Sequence, residues 1–257
     1  MEVSEISIDV EQIGKGETLV YFGSALYRDA EQEFVDTLAQ NFSVYAPRYP
    51  GFDGCSPPKD FRDIADLAYL YLEYIARAGI DRPYVVASSF GAWIALEMSV
   101  RNPALFAGMT LIAPLGVKSG TRTDRRFADF NALSIEALNA ALFCSPSAQP
   151  NFADWTDAQM ESLGLERQYL AYYAWSPYLH NPGLTRWLPR ISTPTQLIWG
   201  AADKFNDIAN GELLATRLGN AQLQVIANVG HFPHLEAAAQ TEELIATFAH
   251  GLQEAKV

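Results

Sequence analysis

A serine stands between two small residues in the stretch Ala87-Ser88-Ser89-Phe90-Gly91. The stretch follows the apolar run 84–86 and precedes a helical pattern that begins at Ala92. Small residues two positions before and after a serine permit a sharp strand-to-helix turn that exposes the serine Oγ. The pattern predicts Ser89 as a nucleophile, with the backbone N–H of Phe90 facing an oxyanion at the helix start. An ordinary capped turn is the alternative.

A serine hydroxyl becomes a nucleophile when a base takes its proton, and that base needs a carboxylate to orient it. Asp203 comes just after the apolar run 196–200, and His231 comes just after the apolar run 223–226. One predicted helix and one strand separate them, which brings two neighbouring strand ends together. The order Ser, Asp, His is the one expected for a triad on a parallel sheet. The sequence therefore predicts Ser89, Asp203 and His231 as a catalytic triad.

Neighbouring residues of the same types are assigned other roles. Choosing Ser88 as the nucleophile would place bulky Phe90 where close packing requires glycine. Asp207 is predicted to cap the following helix, and His234 to support the site or to start a helix. Glu236 is predicted as a helix-start charge that the helix dipole favours.

At these residues the chain resembles the α/β-hydrolase family, and the resemblance covers nearly the whole sequence. Further matching pieces are Phe22-Gly23-Ser24 after the first long strand, the stretch 46–52 after the next, and the stretch 230–236 around the histidine. The resemblance implies an oxyanion hole formed by the backbone N–H groups of Ser24 and Phe90. It implies much less about the substrate.

Three positions depart from the family's usual residues. Ala87 stands where the family usually has glycine, Phe22 where it has histidine, and Arg48 where it has aspartate. Phe22 and Arg48 belong to neighbouring loops near the site, so their change predicts altered specificity rather than lost activity. Arg48 is predicted to form a surface salt bridge, with binding of a substrate carboxylate as the alternative.

Apolar strands alternate with helical patterns, which predicts a mostly parallel sheet covered by helices on both faces, an α/β fold. The predicted strands span about 4–10, 18–22, 43–46, 84–87, 109–112, 195–199 and 223–226. The predicted helices span about 31–40, 61–78 with Asp60 as the cap, 210–218 and 236–251. The N-terminal segment is shorter than in the family, so an edge strand is expected to be truncated or missing.

The alternation breaks between Gly116 and Arg190, where helical segments follow a polar entry, and Thr156 and Gln159 match a capping box. The resemblance implies a helical cap, residues 117–189, inserted after the sixth family strand into a core domain of residues 1–116 and 190–257. The cap aromatic residues are predicted to wall an apolar acyl or aromatic pocket, with cap-to-sheet packing as the alternative. They are Trp155, Tyr169, Tyr172, Tyr173, Trp175, Tyr178 and Trp187. The predicted substrate contacts are Phe22, Arg48, Tyr172, Trp175 and Phe232.

Composition limits the partners. The chain has 257 residues and a formal net charge of −12, which disfavours nucleic acid and anionic membrane surfaces. We expect no signal peptide, because the first residues lack a basic region followed by an apolar stretch, and no spanning helix. Cys55 and Cys144 fit neither a disulfide framework nor a metal site, and they suit a reducing cytoplasm. No metal or other cofactor is expected, and the protein is expected to be a monomer or a homodimer.

Together these residues predict a serine hydrolase that cleaves a small apolar or aromatic ester, thioester or lactone through an acyl-enzyme on Ser89. One alternative is hydrolysis of a carbon–carbon bond in a ring-cleavage product, for which Arg48 could bind the dienoate carboxylate. Cofactor-free perhydrolysis is another possibility on the same scaffold. The alternative from a different class is a hydrolase scaffold that binds a small ligand and turns it over slowly or never.

Overall fold

The computed structural model describes residues 1–3, 5–52 and 56–254. Within these ranges the strands are β1 Glu2–Val3, β2 Ile6–Ser7, β3 Val10–Ile13, β4 Glu17–Phe22, β5 Phe42–Pro47, β6 Tyr84–Ser88, β7 Gly108–Ile112, β8 Thr195–Gly200 and β9 Ala221–Ile226. Seven of them form one sheet in the order β3-β5-β4-β6-β7-β8-β9. The predicted mostly parallel sheet is confirmed, because only the β3–β5 pair is antiparallel in this sheet.

The N-terminal prediction of a single strand over 4–10 is wrong. β1 and β2 form a separate antiparallel pair, and β3 supplies the sheet edge a few residues later. Ser4, where the predicted strand begins, lies outside the described residues, as does Cys55.

The helices alternate with the strands as predicted. They are α1 Gln32–Leu38, α2 Ile64–Arg77, α3 Ser89–Arg101, α4 Ile135–Leu142, α5 Asp157–Ala174, α6 Leu184–Trp187, α7 Ile208–Arg217, α8 Pro233–Glu236 and α9 Ala238–Glu254. The cap of α2 is Asp63 rather than Asp60. Asp63 accepts a bond from Ala65 N, and the Asp66 side chain accepts from Asp63 N, which completes a capping box. The predicted capping box of Thr156 and Gln159 at the start of α5 is confirmed.

Two apolar cores form on opposite faces of the sheet. Every residue of β6, β7 and β8 is buried, as expected for central strands that have helices on both faces. α3 is buried almost all round, because it packs against β4, β6 and β7. The turn between β6 and α3 is therefore held from every side.

The chain between β7 and β8 is mostly helical and contains α4, α5 and α6. Polar bonds join it to the loops above the sheet: Tyr173 OH donates to Pro50 O over 3.0 Å, and the N–H groups of Tyr27 and Arg28 donate to the Glu166 carboxylate. No helix in the described ranges has the length and apolar character to cross a membrane.

Candidate active site

The nucleophile turn adopts the strained geometry that the sequence predicts. Ser89 is the first residue of α3 and has a φ of +51°, in the left-handed region that non-glycine residues rarely adopt. Gly91 is required two residues later. An added Cβ there would lie 2.5 Å from Gly23 O and from Tyr49 OH, and closer still to Phe22 O. The missing side chain therefore lets α3 pass close to the end of β4.

His231 bridges the predicted serine and aspartate. Its Nε2 lies 2.8 Å from Ser89 Oγ, and its Nδ1 lies 2.8 Å from Asp203 Oδ2. The side chains of His231 and Asp203 are fully buried, and Ser89 is 5% exposed. A carboxylate on Nδ1 fixes the tautomer in which Nε2 can accept the serine proton, so the three groups can act as a nucleophile, a base and an orienting acid.

The Asp203 carboxylate is held by backbone groups on its other oxygen. Oδ1 accepts hydrogen bonds from Phe205 N at 2.9 Å and from Asn206 N at 2.8 Å, while Oδ2 faces His231. The Asn206 side chain in turn donates to the carbonyls of Ala113 and Pro114, at the end of β7. The loop after β8 is thus tied to its neighbouring strand, and the Asp203 carboxyl is held in its orientation. Asp207 caps α7, as predicted.

Glu236 has a different role from the one predicted. It lies at the end of the short helix α8, where its Oε1 accepts from Gly230 N at 2.7 Å. Its Oε2 accepts from Cys144 N and Ser145 N, both at 2.9 Å. His231 N donates to Leu142 O at 2.6 Å in the same region. Glu236 therefore fixes the histidine loop against the segment that follows α4.

The Ser24 N–H, which is predicted to face an oxyanion, is bound to a carboxylate in this structure. Ser24 N donates to both carboxylate oxygens of Glu31, each at 3.1 Å. Glu31 is buried and also contacts His234 Nε2 at 2.9 Å. Sequence reasoning missed Glu31, because in the sequence it is only an acidic residue at the start of a predicted helix. Phe90 lies in the first turn of α3, where backbone N–H groups have no intrahelical acceptor.

The structure separates the predicted substrate contacts. Phe232 is buried with its ring centroid 4.9 Å from that of His231, whereas Phe22 packs in the core against Tyr71. Arg48 forms the predicted surface salt bridge, with its Nε 3.3 Å from Asp9 Oδ2.

Two predicted pocket residues lie on the surface instead. Tyr172 is 45% exposed and donates to Phe61 O, and Trp175 is 58% exposed. They occupy the outer side of α5 and its end, so the prediction that they wall a pocket is wrong. Tyr173, the neighbour of Tyr172, is buried near Phe52 and Phe90. A helix sends adjacent residues in different directions, and the aromatic run alone could not show which ring faces inwards.

In the described part of the chain, no group of three or more His, Cys, Asp or Glu side chains could hold a metal ion. Cys144 is exposed and unpaired.

The sheet, its helices and the loops at the strand ends define a class of proteins, the hydrolases built on a mostly parallel α/β sheet. The model of the alpha/beta hydrolase family matches residues 21–244, so the chain belongs to this family. Over 255 residues the chain is 33% identical to the monoacylglycerol lipase ABHD6 of Bos taurus, with 91% of this chain and 75% of that protein covered.

Solved structures share the fold. A bacterial membrane phospholipase A aligns with a TM-score of 0.79 and 21% identity, over 98% of this chain and 85% of that chain. A meta-cleavage product hydrolase from Pseudomonas fluorescens IP01 aligns with a TM-score of 0.78 and 16% identity, over 97% of this chain and 96% of that chain. At these identities the likeness shows the fold alone.

Proposed function

We propose that the protein hydrolyses a small carboxylic ester, thioester or lactone with an apolar or aromatic acyl group, through an acyl-enzyme on Ser89. The observation that carries this proposal is the continuous line of contacts from Ser89 Oγ to His231 to Asp203, each 2.8 Å long. The similarity to a monoacylglycerol lipase, itself named for an ester substrate, supports the same bond type.

In the proposed reaction His231 Nε2 takes the proton of Ser89 as Oγ attacks the substrate carbonyl carbon. The carbonyl π electrons move to oxygen. The imidazolium formed by the proton transfer is stabilised by the Asp203 carboxylate. The tetrahedral intermediate then expels the leaving group, which receives the proton from His231. Water, deprotonated by the same nitrogen, attacks the acyl-enzyme and restores Ser89.

The oxyanion of the intermediate needs donors, and we propose the N–H of Phe90 as one of them. The N–H of Ser24 can serve as the second donor only after it leaves the Glu31 carboxylate, which now accepts it. Substrate binding and a rearrangement of the loop after β4 are therefore coupled in this proposal.

We propose that residues 117–189 act as a cap on a core of residues 1–116 and 190–257. The burial of Ser89 and His231 supports a cap that excludes water from the site. Within it, Tyr173 is better placed than Tyr172 to wall the acyl pocket, because Tyr173 is buried against Phe52 and Phe90.

Hydrolysis of a carbon–carbon bond is the second candidate, favoured by the fold shared with a meta-cleavage product hydrolase. Such a reaction needs a cation for the dienoate carboxylate. Arg48, the residue suggested for that role, faces Asp9 at the surface. Ester hydrolysis is therefore the better supported proposal.

The test is intact-mass analysis after exposure to a serine-directed fluorophosphonate. We expect one adduct in the wild type and none in Ser89→Ala. Ser88→Ala is the matched control, because the Ser88 hydroxyl is buried without a hydrogen-bond partner among the described residues. It should keep the adduct and the turnover of p-nitrophenyl esters.

Loss of Ser89 should reduce ester turnover by several orders of magnitude. A folded wild type that forms no adduct at Ser89 would instead favour the ligand-binding scaffold. Adduct formation with turnover of ring-cleavage dienoates, but not of esters, would favour carbon–carbon bond hydrolysis.

A further inference from the structure

A cavity of about 590 Å³ lies beside the proposed catalytic site rather than in it. It is bounded by α1, α5, α9 and the loop after β4, and none of its lining residues belongs to the triad. Apolar side chains form much of its wall, among them Tyr27, Phe143, Trp155 and Leu163. The rings of Tyr27 and Phe143 contact Phe232, which contacts His231. A lining ring and the ring of Phe232 therefore separate this cavity from the proposed base.

The charge around the cavity has one sign. Asp29, Glu33, Glu166 and Glu242 line it, and no lysine or arginine does so among the described residues. In the same part of the chain, none of the four carboxylates forms an ion pair with a cationic side chain. They are also too dispersed to form a metal-binding group within the described residues. The cavity thus offers carboxylates that no lysine or arginine in its described wall pairs with, next to apolar surface, which suits an organic cation.

Glu166 is the buried member of this set. Its oxygens accept from Tyr27 N at 2.8 Å and from Arg28 N at 3.1 Å, and burial raises the pKa of its carboxyl to about 7. Asp29 adds to that rise, and Arg28 opposes it. The Arg28 guanidinium itself lies over the Tyr49 ring, 4.9 Å from the centroid, and does not line the cavity.

His234 supplies a second and independent indication of a ligand. It lines the cavity and is 1% exposed, and its Nδ1 is buried without a hydrogen-bond partner among the described residues. Its Nε2 faces Glu31, an acceptor that also binds Ser24 N. Nε2 therefore donates to Glu31, and Nδ1 is left without a hydrogen-bond partner in the described part of the chain. A buried nitrogen of this kind favours a ligand that completes its hydrogen bonding.

We propose that this cavity binds a protonated amine with an apolar body, as a site separate from Ser89. The body packs against Phe143 and Trp155, the ammonium group compensates the carboxylates, and one ammonium N–H donates to His234 Nδ1. The ring contacts of Tyr27 and Phe143 with Phe232 make the site a candidate for modulating the proposed triad. The proposal does not depend on hydrolysis.

Binding of the amine should strengthen as the pH rises. An alkylammonium group stays protonated from pH 6 to pH 8, because its ordinary pKa is near that of lysine, about 10. Over this range Glu166 goes from mostly protonated to mostly ionised, since its pKa is about 7. The ionised form gains the most from a nearby cation. The neighbours of Glu166 are Tyr27, Arg28 and Asp29, and across the cavity stand Glu33, His234 and Glu242.

The experiment is calorimetric titration of Ser89→Ala protein with 4-phenylbutylamine, and with 4-phenylbutan-1-ol as the neutral match. At pH 8 we expect the amine to bind about tenfold more tightly than the alcohol. The affinity for the amine should be several-fold lower at pH 6 than at pH 8. Adding Glu33→Gln and Glu242→Gln should remove the preference for the amine. The matched control is Glu212→Gln with Glu243→Gln, which changes the net charge equally at exposed positions outside this cavity. Glu166→Gln should remove the pH dependence.

Three results would overturn the proposal. The first is equal affinity for amine and alcohol, and the second is an equal loss in the cavity variant and in the control variant. The third is loss of amine binding in wild-type protein whose Ser89 has been phosphonylated, because the amine would then occupy the hydrolytic site. The first two measurements use Ser89→Ala protein and stay readable if the wild type shows no catalysis, so the two proposals fail separately.

Discussion

Ser89 is held in a backbone conformation that most residues avoid, with a φ of +51°. The left-handed region costs an L-residue roughly 1–2 kcal/mol, so surrounding contacts must maintain it. The close approach of Gly91 to the carbonyls of Phe22 and Gly23 supplies one of them, and the bond from Leu115 N to Ser89 O supplies another. The hydroxyl is thus oriented towards His231 before any substrate arrives.

The two aspartates of the loop after β8 should differ sharply on substitution. Asp203→Asn should reduce kcat by on the order of 10⁴-fold, because an amide does not hold the required His231 tautomer. Asp207→Asn should leave kcat nearly unchanged, since asparagine also caps helices and only the contact with Arg126 is weakened. Steady-state hydrolysis of a p-nitrophenyl ester checks both. Equal losses of kcat in the two variants would contradict the assignment of Asp203 as the residue that orients His231.

The contacts among Ser89, His231 and Asp203 could be predicted because each residue follows a strand at a short distance in the sequence. The hydrogen-bond partners of Glu31 and Glu236 could not be predicted in this way. Glu31 meets His234 across 203 positions, and Glu236 meets Cys144 across 92. No local pattern encodes contacts of that length. The acceptor of the Ser24 N–H was missed for a different reason: Glu31 lies only seven residues away, but the sequence does not show that its carboxylate is buried.

The helices α3 and α5 differ in how much of their surface is buried, and the space around one glycine in each helix shows the difference. α3 is buried on nearly all sides, whereas α5 presents one face to solvent. The Gly91 position of α3 has no room for a methyl group, and the Gly164 position of α5 has no atom within 4 Å of an added Cβ. Substitution of glycine by alanine therefore tests a crowded position in α3 and an open position in α5.

Gly91→Ala should destabilise the protein by about 3 kcal/mol or more, because backbone oxygens cannot move aside. Gly164→Ala should stabilise it by about 0.5–1 kcal/mol, since alanine loses less entropy in a helix. Urea unfolding measures both changes. A tolerated alanine at position 91 would show that α3 does not pass the end of β4 as closely as described here.

Helix and strand positions were largely readable from the sequence, but their first residues were not. Asp60 and Asp63 both precede the apolar pattern of α2 and each has an aspartate three residues later, but only Asp63 and Asp66 form the reciprocal bonds. At the N-terminus, the residues of β1 and β2 resemble one strand in the sequence, although they pair with each other in antiparallel fashion. Pattern gives the type of an element, and tertiary contacts decide its ends.

At the scale of the whole molecule, the segment between β7 and β8 is joined to the sheet's loops by a buried carboxylate. Glu166 of α5 accepts the N–H groups of Tyr27 and Arg28, 139 and 138 residues away in the chain. The folded protein raises the pKa of this carboxyl from 4.5 to about 7. The protonated form is thus favoured on folding, and the stability that this contributes is present at acid pH.

This contribution should be lost as the pH rises through about 7, the pKa of folded Glu166. Relative to wild type, Glu166→Gln should therefore gain up to about 3 kcal/mol of unfolding free energy between pH 5 and pH 8. Glu161→Gln, an exposed change on the same helix, should show no such trend. Urea unfolding at the two pH values measures the difference. A difference that does not change with pH would contradict the burial of Glu166.

The bonds around Glu236 constrain the engineering of chimeric enzymes. Exchanging lids between related hydrolases assumes that the inserted segment can be removed without touching the catalytic loops. Here Leu142 O accepts from His231 N, and the N–H groups of Cys144 and Ser145 donate to Glu236. A graft that begins at residue 117 would replace these partners and release the histidine loop. A crossover placed after Ser145 keeps them, so the part that can be exchanged is shorter than the whole stretch between β7 and β8.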